Sequence, residues 1–412
     1  MQECVEMKNI LKEYEMASGQ QVNIDKSAVL FSANTTRQVR ESIMATLGIS
    51  KMLTKDRYLG LPIMVGRAKK REFQSIKDRM WKRLRGWQGK LLSAAGKATL
   101  IKAVVQAIPL YAMSCFKFPK SFVHDLNMII ARFWWGSGRE KKGIHWLNWD
   151  LLSVSKLDGG LGFRDFEAFN LALLAKQGWR LMQNGNTLCH KVLQARYFPD
   201  SDFMGAVLGS NPSFVWRSLL EGRRILEAGT LWRVGNGRRI GIFQNRWLKT
   251  VPEGKPREQV NLNSHMNRVE ELIIEESRRW NEELIKNSFS EIEAAAILKI
   301  KISRRMIDDK LIWEPDKLGF FTVRSAYSLA REVIGKEELR MEYRSPIWKI
   351  LWAAKILPKV KYFIWRLLWG ILPTSDNLLR RRLNVDNRCQ ICVDQNESLF
   401  HVMFECRLSR QV

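Results

Sequence analysis

The sequence predicts a mainly α protein with a small β component, and three observations carry that expectation. Apolar residues recur at steps of three and four through most of the chain, the spacing of a helix face. Runs of strand-forming residues are few and short, and Gly or Pro interrupts them. With 412 residues, 46% of them hydrophobic, the chain can bury sizeable cores over two or three domains without disulfide staples.

Taken in order, residues 3–16 place Val5, Ile10, Leu11 and Tyr14 at mostly helical spacing. SGQQVN then reads as a helix stop leading into a strand, AVLFS, at 28–32. Arg57 to Val65, RYLGLPIMV, is short and broken by Gly60 and Pro62, which suits an edge hairpin. From Phe73 the residues Ile76, Met80, Leu84 and Trp87 continue an amphipathic stripe, and a second helix follows Ser93. Residues 121–248 hold further stripes and many tryptophans, among them FWWG at 133–136, HWLNW at 145–149, Trp179, Trp216, Trp232 and Trp247. Most of these belong in cores, with stacking on unpaired bases as the competing role. GGLGFRDF at 159–166 is a glycine-rich turn without the lysine and hydroxyl of a phosphate-binding loop, so no nucleotide is assigned to it. KTVPEGKPREQVNLN at 249–263 has linker composition and marks a domain boundary. Beyond it Val269, Leu272, Ile273, Trp280 and Leu284 read as helical, and FFTVRS at 320–325 as a short strand.

Lys and Arg number 68 against 42 Asp and Glu, a formal excess of +26. Such a charge points to a polyanionic partner, and the apolar fraction excludes a disordered basic tail. The excess concentrates between Arg67 and Lys102, where twelve Lys or Arg, including Arg79, Lys82, Arg83, Arg85, Lys90 and Lys97, face only Glu72 and Asp78. A nucleic-acid surface and a merely solvated helix face both produce this pattern. The N-terminus carries acids throughout and lacks the order of a signal or transit peptide. The most apolar stretch, Leu351 to Pro373, is interrupted by four lysines and arginines, short of the roughly 20 apolar residues of a membrane span. These features predict a nuclear or cytoplasmic protein with no membrane partner.

Near the C-terminus, Cys389 and Cys392 form C-x2-C, and after eight residues His401 and Cys406 form H-x4-C. Two close pairs of soft or borderline ligands across a short loop suit one tetrahedral Zn2+. Four protein ligands leave no open position, so the site reads as structural; free thiols in an amphipathic segment are the alternative. Cys4, Cys115 and Cys189 have no ligand-spaced companions. Residues 351–388 leading into the site carry eight basic residues, Arg380, Arg381 and Arg382 among them, against Asp376 and Asp386.

The order SGQQVNIDKS, YLGLP, WQGKLLSAAGKATLIKAVVQAIPLY, RFWWG, GGLGFRDF, FTVRSAYSLA, WKILWAAKILPKVKYFIWRLLWGILPT and C-x2-C-x8-H-x4-C closely resembles the C-terminal half of plant non-LTR (LINE-type) retrotransposon reverse transcriptases. The resemblance implies a palm remnant with a primer-grip-like hairpin at 1–66, a basic helical thumb at 67–135 and a Trp-rich helical connection at 136–248. The linker at 249–263 would then lead to a C-terminal region, 264–412, with a helical zinc-binding lobe at about 321–412. It implies that Cys389, Cys392, His401 and Cys406 are the zinc ligands. Gly19, Asn23 and Lys26 match a late palm motif whose lysine lies near the incoming nucleotide's phosphates. Tyr58, Leu59 and Gly60 match the primer grip, and the basic helices match the thumb that holds template-primer RNA or DNA without sequence preference.

Polymerisation in that family needs carboxylates that hold Mg2+, carried upstream in an aromatic-Ala-Asp-Asp hairpin. The Asp-Asp present here, Asp308 and Asp309 in RRMIDDKLIW, lacks the aromatic and follows the thumb, and it reads as an exposed turn. The expectation is a nucleic-acid-binding fragment of an RNA-directed DNA polymerase, inactive alone. The alternatives are part of an active enzyme whose palm is supplied upstream or by another polypeptide, and a decayed fragment without function.

Overall fold

Why the chain becomes helical is visible at the helix ends. Ser93, Thr187, Ser213, Ser290 and Thr322 each accept a backbone N–H from their own first turn, satisfying donors that a helix start leaves open. The structure, a computed structural model, describes every residue except 1, 33, 54–56, 59, 63–64, 67–68, 88–91, 137–142, 184, 258–265, 304, 337–342 and 412. It is mainly helical, 53% helix against 5% strand, and forms two compact units, 1–74 and 75–412.

In the first unit, helix α1 (Gln2–Ser18) packs on α2 (Arg37–Leu47), with Lys8 Nζ donating to Thr46 O at 2.9 Å. The predicted α1 stripe does not form a core: Val5, Ile10, Leu11 and Tyr14 all stay exposed. Nor does AVLFS make a strand, because among the described residues Val29 finds only a single bridge, to Met52. The hairpin does form. Strands β1 (Arg57–Tyr58) and β2 (Leu61–Pro62) pair antiparallel, Tyr58 opposite Leu61, and Gly60 takes the turn at φ +81°.

The second unit starts with α3 (Gln74–Trp87), α4 (Ala94–Ala103) and α5 (Lys120–Trp135). Ile76, Met80 and Leu84 are buried at steps of four, as the stripe predicts. Helices α6 (Phe166–Gln183), α7 (Leu188–Tyr197) and α8 (Phe214–Gly229) follow. α6 and α8 meet at Gly222, where an added Cβ would come within 2.7 Å of the Ala175 nitrogen, so only glycine permits this crossing. Of the eight named tryptophans, Trp134, Trp135, Trp216 and Trp247 are buried in cores, and Trp146, Trp149, Trp179 and Trp232 are half-buried.

Strand β3 (Thr230–Arg233) pairs with β6 (Lys310–Trp313), Thr230 opposite Trp313, and between them hangs a smaller lobe. That lobe contains a hairpin of β4 (Ile273–Ile274) and β5 (Arg279–Trp280), followed by helix α9 (Glu291–Leu298). Its core joins Ile240, Trp247 and Leu248 to Val269, Leu272, Trp280 and Ile297, so the residues on both sides of 249–263 share one cluster. The helical stripe expected over 269–284 is thus a correction: the hairpin turns the chain at 275–278, where Arg278 adopts φ +51°, and Leu284 lies in a separate short helix, Glu282–Ser288.

FFTVRS is a second correction. Thr322 caps α10 (Val323–Val333) through Ser325 N, and the cap overrides the strand propensity of its neighbours. α10 packs on α6 and α8, placing Ala326 and Ala330 in the same core as Trp216 and Trp313. Two further helices, α11 (Pro346–Ala353) and α12 (Pro358–Leu368), dock on upstream chain. Trp365 and Trp369 both donate their indole N–H to Gly159 O at 2.8 Å, and the Trp348 ring covers the same glycine. The glycine-rich turn is therefore a seat for three tryptophans.

Candidate metal centre and nucleic-acid interface

The C-terminal constellation is assembled by a tight hairpin and a wide helical turn. Cys389 N donates to Gln395 O and Glu397 N to Asn387 O, so residues 387–397 fold back on themselves. Val393 reverses the chain at φ +64°, a conformation disfavoured for a β-branched residue. Ser398 Oγ then accepts from His401 N, and the turn His401–Glu405 carries His401 and Cys406 to the face of the C-x2-C loop.

The four ligand atoms of Cys389, Cys392, His401 and Cys406 all lie within 4.8 Å of one another. Cys389 Sγ to Cys406 Sγ is 3.9 Å, and Cys392 Sγ to His401 Nε2 is 3.3 Å. A tetrahedral zinc with Zn–S near 2.3 Å and Zn–N near 2.05 Å sets ligand edges of about 3.6–3.8 Å, close to both. His401 Nδ1 lies 2.8 Å from Gln395 Oε1. That partner is an acceptor, so Nδ1 carries the proton and Nε2 presents its lone pair to the other ligands. Backbone N–H groups of Cys392 and Ile391 pull the Cys389 thiol down to about 6, favouring the thiolate that a metal needs. Leu408 N–H acts the same way on Cys406, but burial and the neighbouring Cys389 and Cys392 outweigh it and raise that thiol. The residues fit a closed Zn2+ site with four protein donors, as predicted, and zinc there would supply cross-linking of the lobe.

The basic residues divide by environment. On α3, Arg79, Lys82, Arg83 and Arg85 are exposed opposite the buried stripe, and Trp81 among them is 41% exposed. Lys90 lies outside the described residues. Lys97 turns inward: its ammonium donates to Gly136 O at 2.6 Å at the C-terminus of α5, and burial followed by Arg366 lowers its pKa. Arg380 and Arg382 are exposed, while Arg381 donates to Trp146 O and rests over that indole ring. Lys26 is exposed at the end of a short turn that Asn23 caps, in the same unit as the hairpin of Tyr58 and Gly60.

Asp308 is exposed, as expected of a turn, but Asp309 beside it corrects that expectation. Asp309 is only 3% exposed and accepts three backbone N–H groups, from Gly235, Gly237 and Arg239, at 2.7–2.9 Å. It pins the loop after β3, a structural task. No local pattern in the sequence announces these partners, some 70 residues away. Gln395 was also missed, although its position between the ligand pairs was a signal.

Residues 321–412 match the family described as zinc-binding in reverse transcriptase. The chain is 31% identical over 358 residues to a protein of Arabidopsis thaliana named "Putative ribonuclease H protein", a match covering 84% of this chain and 56% of that one. It therefore spans little more than half the length of that relative. An "Uncharacterized mitochondrial protein" of Arabidopsis thaliana is 43% identical over 143 residues, 34% of this chain and 93% of that one. Near-complete coverage of the second relative, together with the zinc-binding match over the metal quartet, shows that the chain belongs to a reverse-transcriptase-related family.

Proposed function

We propose that the chain is the nucleic-acid-holding part of a non-LTR (LINE-type) retrotransposon reverse transcriptase: it grips template-primer duplex through α3 and steadies it with the zinc lobe. The observation that carries this reading is the exposed row of Arg79, Lys82, Arg83 and Arg85 on a helix whose opposite face is firmly buried. A buried stripe fixes the row's direction, so the cations are preorganised for phosphates instead of loosely solvated. The chain's own residues bind and orient; Mg2+ and the carboxylates that hold it belong to a palm-containing polypeptide. Among the described residues no helix is long and apolar enough to cross a membrane, and a nuclear or cytoplasmic site of action accords with this partner.

The test is fluorescence anisotropy with an RNA–DNA template-primer duplex over a salt series. The expected result is steep salt dependence, with a triple change of Lys82, Arg83 and Arg85 to Glu weakening binding at least about tenfold on every sequence. Unchanged affinity in a folded triple variant sinks the reading. With Mg2+ and nucleotides the chain alone extends no primer; extension abolished by Asp308→Ala would overturn the division of labour.

A further inference from the structure

A second cluster of cations lies away from α3, where three elements meet. Lys102 comes from α4, Lys156 from the turn preceding Gly159, and Lys361 from α12. All three are half-buried, and among the described residues none of them is in an ion pair. Their surroundings are aromatic and backbone. The Lys156 ammonium sits 4.2 Å from the centre of the Trp352 ring and 6.0 Å from that of Tyr362. Lys361 Nζ donates to Trp352 O at 2.9 Å, and Lys102 Nζ rests 5.8 Å from the centre of the Phe163 ring. Lys102 Nζ also lies 3.5 Å from where a Cβ on Gly162 would stand, so the bare glycine leaves that ammonium uncovered.

Three like charges gathered without a carboxylate are costly to the fold. Burial, then the charge of Lys156, lowers Lys102 to about 8; burial, then Lys361, lowers Lys156. Ring faces attract cations but neutralise none of their charge. Fold energy alone would replace at least one of these lysines, and an anion would convert the mutual repulsion into shared attraction. About one and a half turns away along both helices, Lys97 and Arg366 repeat the arrangement.

We propose that Lys102, Lys156 and Lys361 form a binding site for a phosphate group at the seam between α4, the 156–162 turn and α12. This deepens the nucleic-acid reading, for the phosphate of a passing strand is the expected occupant. A small free phosphate compound offers the same chemistry. Because α12 belongs to the segment matched as zinc-binding and α4 to the basic region, a strand held here touches both at once.

The experiment uses the purified full chain with a labelled oligo(dT) in anisotropy and with pyrophosphate in thermal melts. Lys156→Gln is the main variant because its ammonium rests on rings and its loss breaks no hydrogen bond; Lys102→Gln is the second, and the exposed Lys299→Gln is the control. We expect Lys156→Gln to weaken oligo(dT) binding by about fivefold, to lower the salt slope by about 0.7 and to melt higher without ligand, while the control does none of these. Pyrophosphate should raise the melting point of the parent and not of the variant. An oligonucleotide effect without a pyrophosphate effect identifies the strand as the occupant. A pyrophosphate effect in a chain that binds no oligonucleotide keeps the site but removes the nucleic-acid reading. If parent, variants and control bind oligo(dT) alike and pyrophosphate shifts no melting point, the site is wrong, and the α3 reading stands or falls on its own charge reversals.

Discussion

Replacing Gly159 by Ala should loosen the seat on which the zinc-bearing part of the chain rests. Gly159 has φ +92°, and an added Cβ would lie 2.9 Å from Cε2 and 3.0 Å from Nε1 of Trp348. Two costs add. A left-handed backbone costs a non-glycine residue about 1–2 kcal/mol, and wedging a methyl against a packed indole costs typically about 1–3 kcal/mol more. Gly370→Ala isolates the first cost, since Gly370 has φ +65° and nothing within 4 Å of an added Cβ. In urea unfolding followed by tryptophan fluorescence, Gly159→Ala should lose about 2–5 kcal/mol and Gly370→Ala only about 1–2 kcal/mol. The Trp365 and Trp369 bonds to Gly159 O raise the stakes, because a shifted carbonyl strands two indole donors. Equal losses in the two variants, within about 0.5 kcal/mol, would mean that Trp348 yields freely and that the seat does not hold α11 and α12 in place.

The purified chain should contain one equivalent of zinc, and Gln395→Ala should weaken it about 10–100-fold by releasing His401 Nδ1; metal titration against a chelator checks this. Zinc removal should speed hydrogen exchange at 387–406 while α6 and α8 stay protected, and uniform exchange before and after would contradict it. Lys102→Gln should stabilise the chain near pH 7 on the order of 1 kcal/mol, discounted for screening of a partly exposed group. Because the folded pKa, about 8, lies below the ordinary 10.5, this advantage holds below pH 8 and disappears as pH rises from 8 to 10.5; paired melts across that window measure it. Asp309→Ala should cost roughly 3 kcal/mol by orphaning three backbone donors, measured by urea midpoint, and a neutral result would mean that the 235–239 loop finds water instead.

Features set by near neighbours are legible in the sequence. The stripe Ile76, Met80, Leu84, the cap at Ser93, the Gly60 turn and the zinc quartet each depend on neighbours a few residues apart, and each is found in the structure. The errors fell where distant chain decides. Asp309 looks like surface until Gly235 and Gly237 come to it, and Lys97 looks like the rest of the basic run until the end of α5 offers a carbonyl. In FFTVRS the competition was local but close: aromatic and β-branched residues favour a strand, and one hydroxyl at Thr322 decides for the helix. Across the linker composition at 249–263, Trp247 and Leu248 on one side share a core with Val269 and Leu272 on the other, a contact that composition does not announce.

The pairing of β3 with β6 has a kinetic meaning. Four rungs, Thr230 to Arg233 against Lys310 to Trp313, close a loop that runs from 234 to 309. Bringing the ends of so long a flexible loop together costs about 4 kcal/mol in chain entropy, more than a bare four-residue ladder returns. The lobe must therefore collapse around Trp247 and Trp280 before its own stem can zip. α10, which lies just beyond β6, then reaches α6 and α8 last. Pulse-labelling exchange should protect 240–297 ahead of 230–233. The same logic makes the lobe a natural place for length variation, because residues added inside a loop already this long raise its closure cost by only tenths of a kcal/mol.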